Sequence, residues 1–319
     1  MAFHSGFVSI IGRPNAGKST LLNALVGEKL AIVTRKPQTT RNRVQGIVNV
    51  PRKGKRPAGQ IVLIDTPGIH KPVNSLNRRM MKEVYDALEG CDLLLVIVDA
   101  TEKFGTGDQF VLDIAKRTTL PGLLLLNKID GIQKDRLLPL IDRYKQLHEF
   151  AEVIPISALK KDGLETLLDA IIKTLPEGPR YFSEDQITDQ PERFLAAELI
   201  REQVLQLTSQ EVPHATTVLI DSFEAGEKLT HIAATIYCER EGQKAILIGK
   251  HGANLKKIGT YARHEIERLL GTKVFLELYV KVQPGWRQSR AFVEETDWRR
   301  QLEHLSEAQR SEDGEIDDH

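Results

Sequence analysis

The sequence predicts an α/β domain built on a mainly parallel sheet, followed by a smaller α+β domain, and three observations carry that expectation. Short apolar runs at residues 7–11, 61–64, 93–98, 123–126 and 153–156 alternate with helix-like stretches, the pattern of strands covered on both faces. Pro176, Pro179 and Pro191 then interrupt any regular element. Beyond them, helical periodicities and β-branched runs surround a glycine-flanked turn. At 319 residues the chain exceeds one ordinary core, and 41% hydrophobic residues suffice to bury two. The expected divisions are 1–175, a linker at 176–192, a second domain at 193–290 and an acidic, disordered tail at 291–319.

The first run leads into Gly12-Arg13-Pro14-Asn15-Ala16-Gly17-Lys18-Ser19-Thr20, and a periodic run at 21–26 follows. Strand, glycine loop and helix together are the context of a phosphate-binding loop, or P-loop. Its backbone N–H groups and the helix N-terminus suit a di- or triphosphate. Lys18 is placed to reach the outer phosphates and Ser19 to put its hydroxyl on magnesium. Residues 45–50 are expected to pair antiparallel with 61–64, joined by the basic loop Pro51-Arg52-Lys53-Gly54-Lys55-Arg56, either solvated or touching RNA. The 61–64 run ends at Asp65-Thr66-Pro67-Gly68, where Asp65 becomes a second metal anchor acting through water. Thr40, in the polar stretch between Lys36 and Arg43, is expected to close over the metal with the γ-phosphate; Thr39 is the alternative.

Base recognition is expected further along. Asn127-Lys128-Ile129-Asp130 closes the run 123–126, so that Asp130 accepts from the guanine edge while Asn127 meets its carbonyl side. A buried group built to bond one base is left unpaired by another, a penalty of up to about 10⁴-fold. Ser157-Ala158-Leu159, after 153–156, is expected to pack beneath the base and offer backbone donors. A closing helix is expected over 164–175. The segments together describe a guanine-nucleotide switch. Ile69 stands where many GTPases carry a water-orienting glutamine, so hydrolysis is expected to be slow and electrostatic, with Lys18 and Thr40 as the catalytic groups. His70 either positions water or is simply exposed.

In the second domain the order is helix 194–207, strands 215–223 and 229–238, helix 242–248, the turn Gly249-Lys250-His251-Gly252, helix 253–270 and strand 274–282. A glycine-flanked turn between helices admits a nucleic-acid backbone, and Lys244, Lys250, His251, Lys256 and Lys257 supply cations and donors. Tyr261 and Phe275 read as core. Cys91 and Cys238 read as buried free thiols.

Net charge is zero, with 44 basic and 44 acidic side chains, but residues 291–319 hold ten acidic and three basic ones. The body is therefore basic, which suits nucleic acid, and the tail is either merely solvated or competes with RNA. No run is long enough to span a bilayer and the N-terminus carries no apolar leader, so a cytosolic chain is expected.

Residues 7–175 resemble the small GTPases of the translation-factor type, and the Asn15 loop with Thr39-Thr40-Arg41 is similar to the TrmE, Era and EngA branch. Leu175-Pro176-Glu177-Gly178-Pro179-Arg180-Tyr181-Phe182, Asp189-Gln190-Pro191-Glu192-Arg193-Phe194 and the second domain narrow the resemblance to the Era family, along about 290 residues. It implies a P-loop NTPase domain followed by a type II KH domain, with GTP or GDP and Mg²⁺ as ligands. It further implies binding of the 3′ end of 16S ribosomal RNA and maturation of the small ribosomal subunit, with no role for DNA. A potassium ion held by Asn15 is implied as well; an asparagine that only orders the loop is the alternative. Peripheral association with the inner membrane stays open. The rival functions are a constitutive RNA scaffold with a structural nucleotide and a membrane-associated signalling GTPase.

Overall fold

The computed structural model describes residues 2–34, 36, 38–70, 72–209, 211–300 and 303. The chain divides into two units, Met1–Lys71 with Met80–Gln190 and Pro72–Arg79 with Pro191–His319, so the division falls within a helix.

The first unit runs β1 (His4–Gly12), α1 (Lys18–Val26), β2 (Val44–Val50), β3 (Gly59–Asp65), then α2 (Ser75–Leu88), in which the division falls. It continues with β4 (Leu93–Asp99), α3 (Thr106–Ala115), β5 (Gly122–Asn127), α4 (Leu137–Leu147), β6 (Glu152–Pro155) and α5 (Leu164–Thr174). The sheet order is β2-β3-β1-β4-β5-β6, and of these pairs only β2–β3 is antiparallel. The apolar runs of β4 and β5 are buried along their length because helices cover both faces, so those strands show no polar alternation. Parallel order sends the C-terminal ends of β1, β3, β4 and β5 to one edge of the sheet, where the motif loops emerge.

Two surface segments of this unit are more tightly held than their composition suggests. In the basic loop after β2, Arg56 is buried against Glu165 and Asp169 of α5, at 3.3 and 2.8 Å, and Lys53 also pairs with Glu165. Arg56 ties the β2–β3 loop to the closing helix, while residues 51–55 are exposed, as the solvated reading expects. Residues 176–190 form no regular element, yet they are docked: Ile47 N–H donates to Ile187 O, Thr188 Oγ1 donates to Gln45 O, and the Gln60 side chain meets the backbone of Tyr181 and Phe182. The segment thereby satisfies the open edge of β2, which would otherwise invite pairing by another chain.

The second unit contains α6 (Glu192–Leu207), β7 (Thr217–Glu224), β8 (Leu229–Cys238), α7 (Glu241–Ile248), α8 (Ala253–Leu270), β9 (Lys273–Val282) and α9 (Arg290–Glu295). Its sheet is β7-β8-β9, with β7–β8 antiparallel and bulged between Ile220 and Ser222, and β8–β9 parallel. Alternation assigns the faces. Val274 of β9 is buried, whereas Phe275 projects to the other side and is about 50% exposed, as is Tyr261 on α8. Neither is a core residue, contrary to the sequence reading. Phe275 lies on the sheet face that the helices leave open, and Tyr261 on the side of α8 away from its buried stripe of Ile258, Ala262 and Ile266.

The expected disordered tail also begins too early. Just before it Trp286 is fully buried with its indole N–H on Ala215 O, and within it α9 buries Val293 and the Trp298 ring packs on Phe194. This stretch holds the start of α2: Leu76 N–H donates to Arg287 O, Ser75 Oγ to Gln288 O, and Arg79 to Val293 O and Thr296 Oγ1. The aromatic residues among the acidic ones supply the burial that net charge concealed. Residues 301, 302 and 304–319 lie outside the described residues. Cys91 and Cys238 are buried and unbridged, and burial raises both thiols above their usual range. Among the described residues no helix is long and apolar enough to cross a membrane.

Candidate functional site

A cavity of about 760 Å³ opens at the C-terminal edge of the first sheet. It is lined by Arg13, Pro14, Asn15, Ala16, Gly17, Lys18, Ser19 and Thr20 from the first loop, by Thr40 and Gly68, and by Asn127, Lys128, Asp130 and Leu159. The anticipated residues Gly12, Asp65, Ser157 and Ala158 are absent from the lining and brace it from behind. Gly17 has φ 103°, and a side chain there would collide with the Asn127 amide, so glycine is required for the loop to close on β5.

Lys18 is buried, and its ammonium donates to Gly12 O and Arg13 O at 3.0 and 2.9 Å. Burial lowers its pKa to about 8 against the opposing pull of Asp65. Asp65 is likewise raised to about 6 by burial, with Lys18, Ser19, Thr40 and the Thr66 backbone working the other way. Ser19 Oγ donates to Asp65 Oδ2 at 2.6 Å and lies 2.8 Å from Thr40 Oγ1. The second oxygen, Asp65 Oδ1, is buried without a partner. Two hydroxyls and a carboxylate with an orphaned oxygen form a hard-oxygen donor set, which fits magnesium. It is Thr40 that meets this set; Thr39 bonds instead to Lys36 O and Thr34 Oγ1.

At the opposite end of the cavity, Asp130 accepts from Ser157 Oγ at 2.6 Å through Oδ1. Asn127 has work within the fold beside its expected contact with the base. Its Nδ2 donates to Ala16 O and its Oδ1 accepts from Ala158 N–H, so its amide ties three loops together before any base arrives. The Ala158 N–H, expected as a donor to the base, is occupied by the same bond. Leu159 is largely exposed and borders the cavity, an apolar wall for a planar ligand. Ile69 is fully buried in the core cluster of Ile11, Met81 and Val84, where it can orient no water. His70 directs Nδ1 to Gly68 O at 2.8 Å.

Sequence reasoning missed Asp99, Thr101 and Glu102, which line the cavity. The signal was available, since Asp99 ends an apolar strand run as Asp65 does. Asp99 Oδ2 accepts from the Lys128 ammonium at 2.5 Å and Oδ1 accepts from Thr101 N–H and Oγ1–H. Although burial works the other way, the bonds from Lys128 and Thr101 hold this carboxyl below the usual carboxylate range.

The second unit carries its own candidate site at the turn between α7 and α8. Gly249 (φ 71°, ψ 176°), His251 (φ 52°) and Gly252 (φ 76°) all have positive φ. A side chain at 249 would meet Asn254 Cβ at 2.8 Å, so the backbone passes close to the following helix. Lys250, His251, Lys256 and Lys257 are exposed around the turn, and Lys244 is half-buried. Backbone amides at the start of α8 with surrounding cations can receive a phosphodiester.

Known proteins match this arrangement at both ends. The family model described as 50S ribosome-binding GTPase matches residues 7–128, and that described as KH domain matches residues 211–287. A GTPase Era of Geobacter metallireducens is 51% identical over 295 residues, covering 92% of this chain and 97% of its own. One from Ruminiclostridium cellulolyticum is 50% identical over 290 residues, covering 91% and 95%. Among solved structures, a variant of Aquifex aeolicus Era bound to GDP·AlF4⁻ has 43% identity, a TM-score of 0.86 and coverage of 91% and 98%. An Era complex with MgGDPNP and nucleotides 1506–1542 of 16S ribosomal RNA has 43% identity, a TM-score of 0.87 and coverage of 92% and 98%.

Proposed function

Because the chain belongs to the Era family of GTPases, we propose that it is a GTP-hydrolysing switch whose KH domain grips the 3′ end of 16S ribosomal RNA during assembly of the small ribosomal subunit in the cytoplasm. The observation that carries the switch reading is the convergence of Ser19, Thr40 and Asp65 at the phosphate end of the cavity. Thr40 comes from the polar stretch before β2, so a ligand that engages Ser19 and Asp65 also governs that stretch. The related complex with a 16S ribosomal RNA segment supports the choice of RNA.

In this reading Ser19, Thr40 and Asp65 would hold magnesium, Asp65 through a water. When bound, the metal neutralises charge on the β- and γ-phosphates. Lys18 and the backbone amides of residues 13–19 orient the triphosphate and stabilise the charge that develops on its oxygens. Asp130 accepts from the guanine edge, Leu159 covers the base, and Asn127 keeps the loops in register. With Ile69 in the core, the position after Gly68 supplies no group to orient the attacking water, and slow hydrolysis follows. Asn15, with φ 62° at the rim of the cavity, is the residue that would hold a potassium ion where other GTPases use an arginine.

Equilibrium binding of a 16S 3′-end RNA, measured with a GTP analogue, with GDP and with neither, tests the switch. Affinity that depends on nucleotide is expected. Equal affinity in all three conditions would leave a constitutive RNA scaffold. On the base, Asp130→Asn replaces an acceptor with a donor and should move preference from guanine towards xanthine nucleotides; unchanged selectivity would refute the assignment of Asp130.

A further inference from the structure

The nucleotide reading assigns Asp130 to the base but leaves a chemical problem beside it. Lys128 stands two residues before Asp130, and both border the same cavity. Lys128 has φ 66°, a left-handed conformation uncommon for a residue with a side chain, and it caps the short turn that contains Asp130. A flexible four-carbon stem places an ammonium within range of its neighbour's carboxylate. Paired with it, the ammonium would occupy the oxygens that guanine needs, and binding would first have to break an internal ion pair.

The fold supplies another anion. Parallel pairing of β4 and β5 sets Asp99 directly beside Asn127, one residue before Lys128. Thr101 donates twice to Asp99 Oδ1, at 2.9 Å from its N–H and 2.6 Å from its hydroxyl. That fixes the carboxylate so that Oδ2 receives the Lys128 ammonium. Asp130 is meanwhile held by a neutral donor, Ser157 Oγ, on Oδ1.

We propose that Asp99 is a positioning residue for guanine selectivity: by holding the Lys128 ammonium, it keeps the Asp130 carboxylate free for the base. The proposal rests on Asp130 reading guanine. Its chemistry distinguishes GDP from IDP, because hypoxanthine lacks the 2-amino group that a free carboxylate accepts. Releasing Lys128 onto Asp130 therefore harms GDP binding more than IDP binding.

The test is a double-mutant cycle on the full chain, with GDP and IDP affinities measured by equilibrium titration for the wild type, Asp99→Asn, Lys128→Met and the double variant. Asparagine keeps the shape of the aspartate and can still accept from Thr101. Asp99→Asn should shrink the GDP-to-IDP affinity ratio by roughly threefold to tenfold. In the Lys128→Met background the same change should leave the ratio unmoved, because no ammonium remains to be misplaced. Thr101→Ala, which loosens Asp99, should shift the ratio in the same direction by less. An unchanged ratio in Asp99→Asn overturns the proposal, as does an equal shrinkage with Lys128 removed. A wild-type chain that binds GDP and IDP alike would instead overturn the reading of Asp130 itself.

Discussion

The Gly12–Ser19 loop and the Gly249–Gly252 turn are built alike and buried differently. Each ends in a glycine of positive φ, Gly17 at 103° and Gly252 at 76°, that caps a helix without a side-chain bond. Each therefore offers unpaired helix N–H groups beside a lysine. Lys18, however, is 5% exposed and bonded to two carbonyls, whereas Lys250 and His251 are exposed. A buried turn recognises one small ligand through fixed, desolvated contacts, and each loss is costly. An exposed turn receives a long polyanion through screened charge, and many small contributions add. On the proposed function, the same local device would serve discrimination in one unit and electrostatic grip in the other.

The comparison breaks most sharply at the buried lysine. Lys18→Ala removes the buried cation at the phosphates and should weaken GDP binding by about 100-fold or more, on the order of 3 kcal/mol for a charged hydrogen-bonded group. RNA affinity measured without nucleotide should be retained. Calorimetric titration with GDP checks the first outcome. Near-normal GDP affinity would mean that the buried cation does not face phosphate.

At the exposed turn, replacing Lys250 and His251 by aspartates reverses charge where the phosphodiester approaches. RNA affinity at low salt should fall by roughly tenfold to a hundredfold, and the dependence of affinity on salt should flatten. GDP affinity should stay at the wild-type value. Filter-binding titrations across a salt series read both quantities, and wild-type RNA binding by this variant would return the turn to a structural role.

These two sites were not equally legible in the sequence. The loops of the first could be placed from the sequence, because Gly12–Ser19, Asp65–Gly68 and Asn127–Asp130 each sit at the end of a buried strand and Ser157–Leu159 follows the edge strand β6, where local pattern and position coincide. What escaped were effects of side-chain partnership. Asn127 and Ala158 bond to each other rather than waiting for a base, and Asp99 pairs with Lys128 across neighbouring strands. Spacing along the chain does not encode a contact set by sheet register. In the second unit the element order was readable, but the exposed Phe275 and Tyr261 were not, because composition does not say which sheet face the helices leave open or which side of α8 faces solvent. Val293 and Trp298 lie beside Glu294, Glu295 and Asp297, and an average over charge hides the apolar anchors between them.

The buried pair also makes stability depend on pH in an unusual sense. In the absence of metal and nucleotide, burial raises Asp65 from 3.8 to about 6, so the folded chain holds that proton more tightly than the unfolded one. Its contribution is most favourable at low pH and is lost as pH rises from about 4 to about 6, opposite to an ordinary paired carboxylate. Lys18, lowered from 10.5 to about 8, acts on the other side: stability recovers as pH rises from about 8 towards 10.5. The neutral range where the site must carry both charges is thus where these two groups burden the fold most. Urea unfolding in chelator across pH should show the acid limb in the wild type and lose it in Asp65→Asn. An identical slope in both would remove Asp65 as its source.

The remaining effects lie in the backbone of the exposed turn, and they separate its two glycines. Gly249 has φ 71° and ψ 176°, a region nearly reserved for glycine, and a Cβ there would meet Asn254 Cβ at 2.8 Å and Asn254 N at 3.0 Å. Gly252 has φ 76° and ψ 8°, and a Cβ there would meet nothing within 4 Å. Gly249→Ala must therefore combine conformational strain with displacement of the first turn of α8, a cost of about 2–3 kcal/mol. Gly252→Ala bears the left-handed strain alone, about 1 kcal/mol. Thermal unfolding should rank them in that order, with Gly249→Ala also weakening RNA binding because the start of α8 moves. GDP affinity should not change in either variant. If Gly252→Ala destabilised more than Gly249→Ala, close packing against Asn254 would not be what requires the first glycine, and the turn would owe its shape to conformational preference alone.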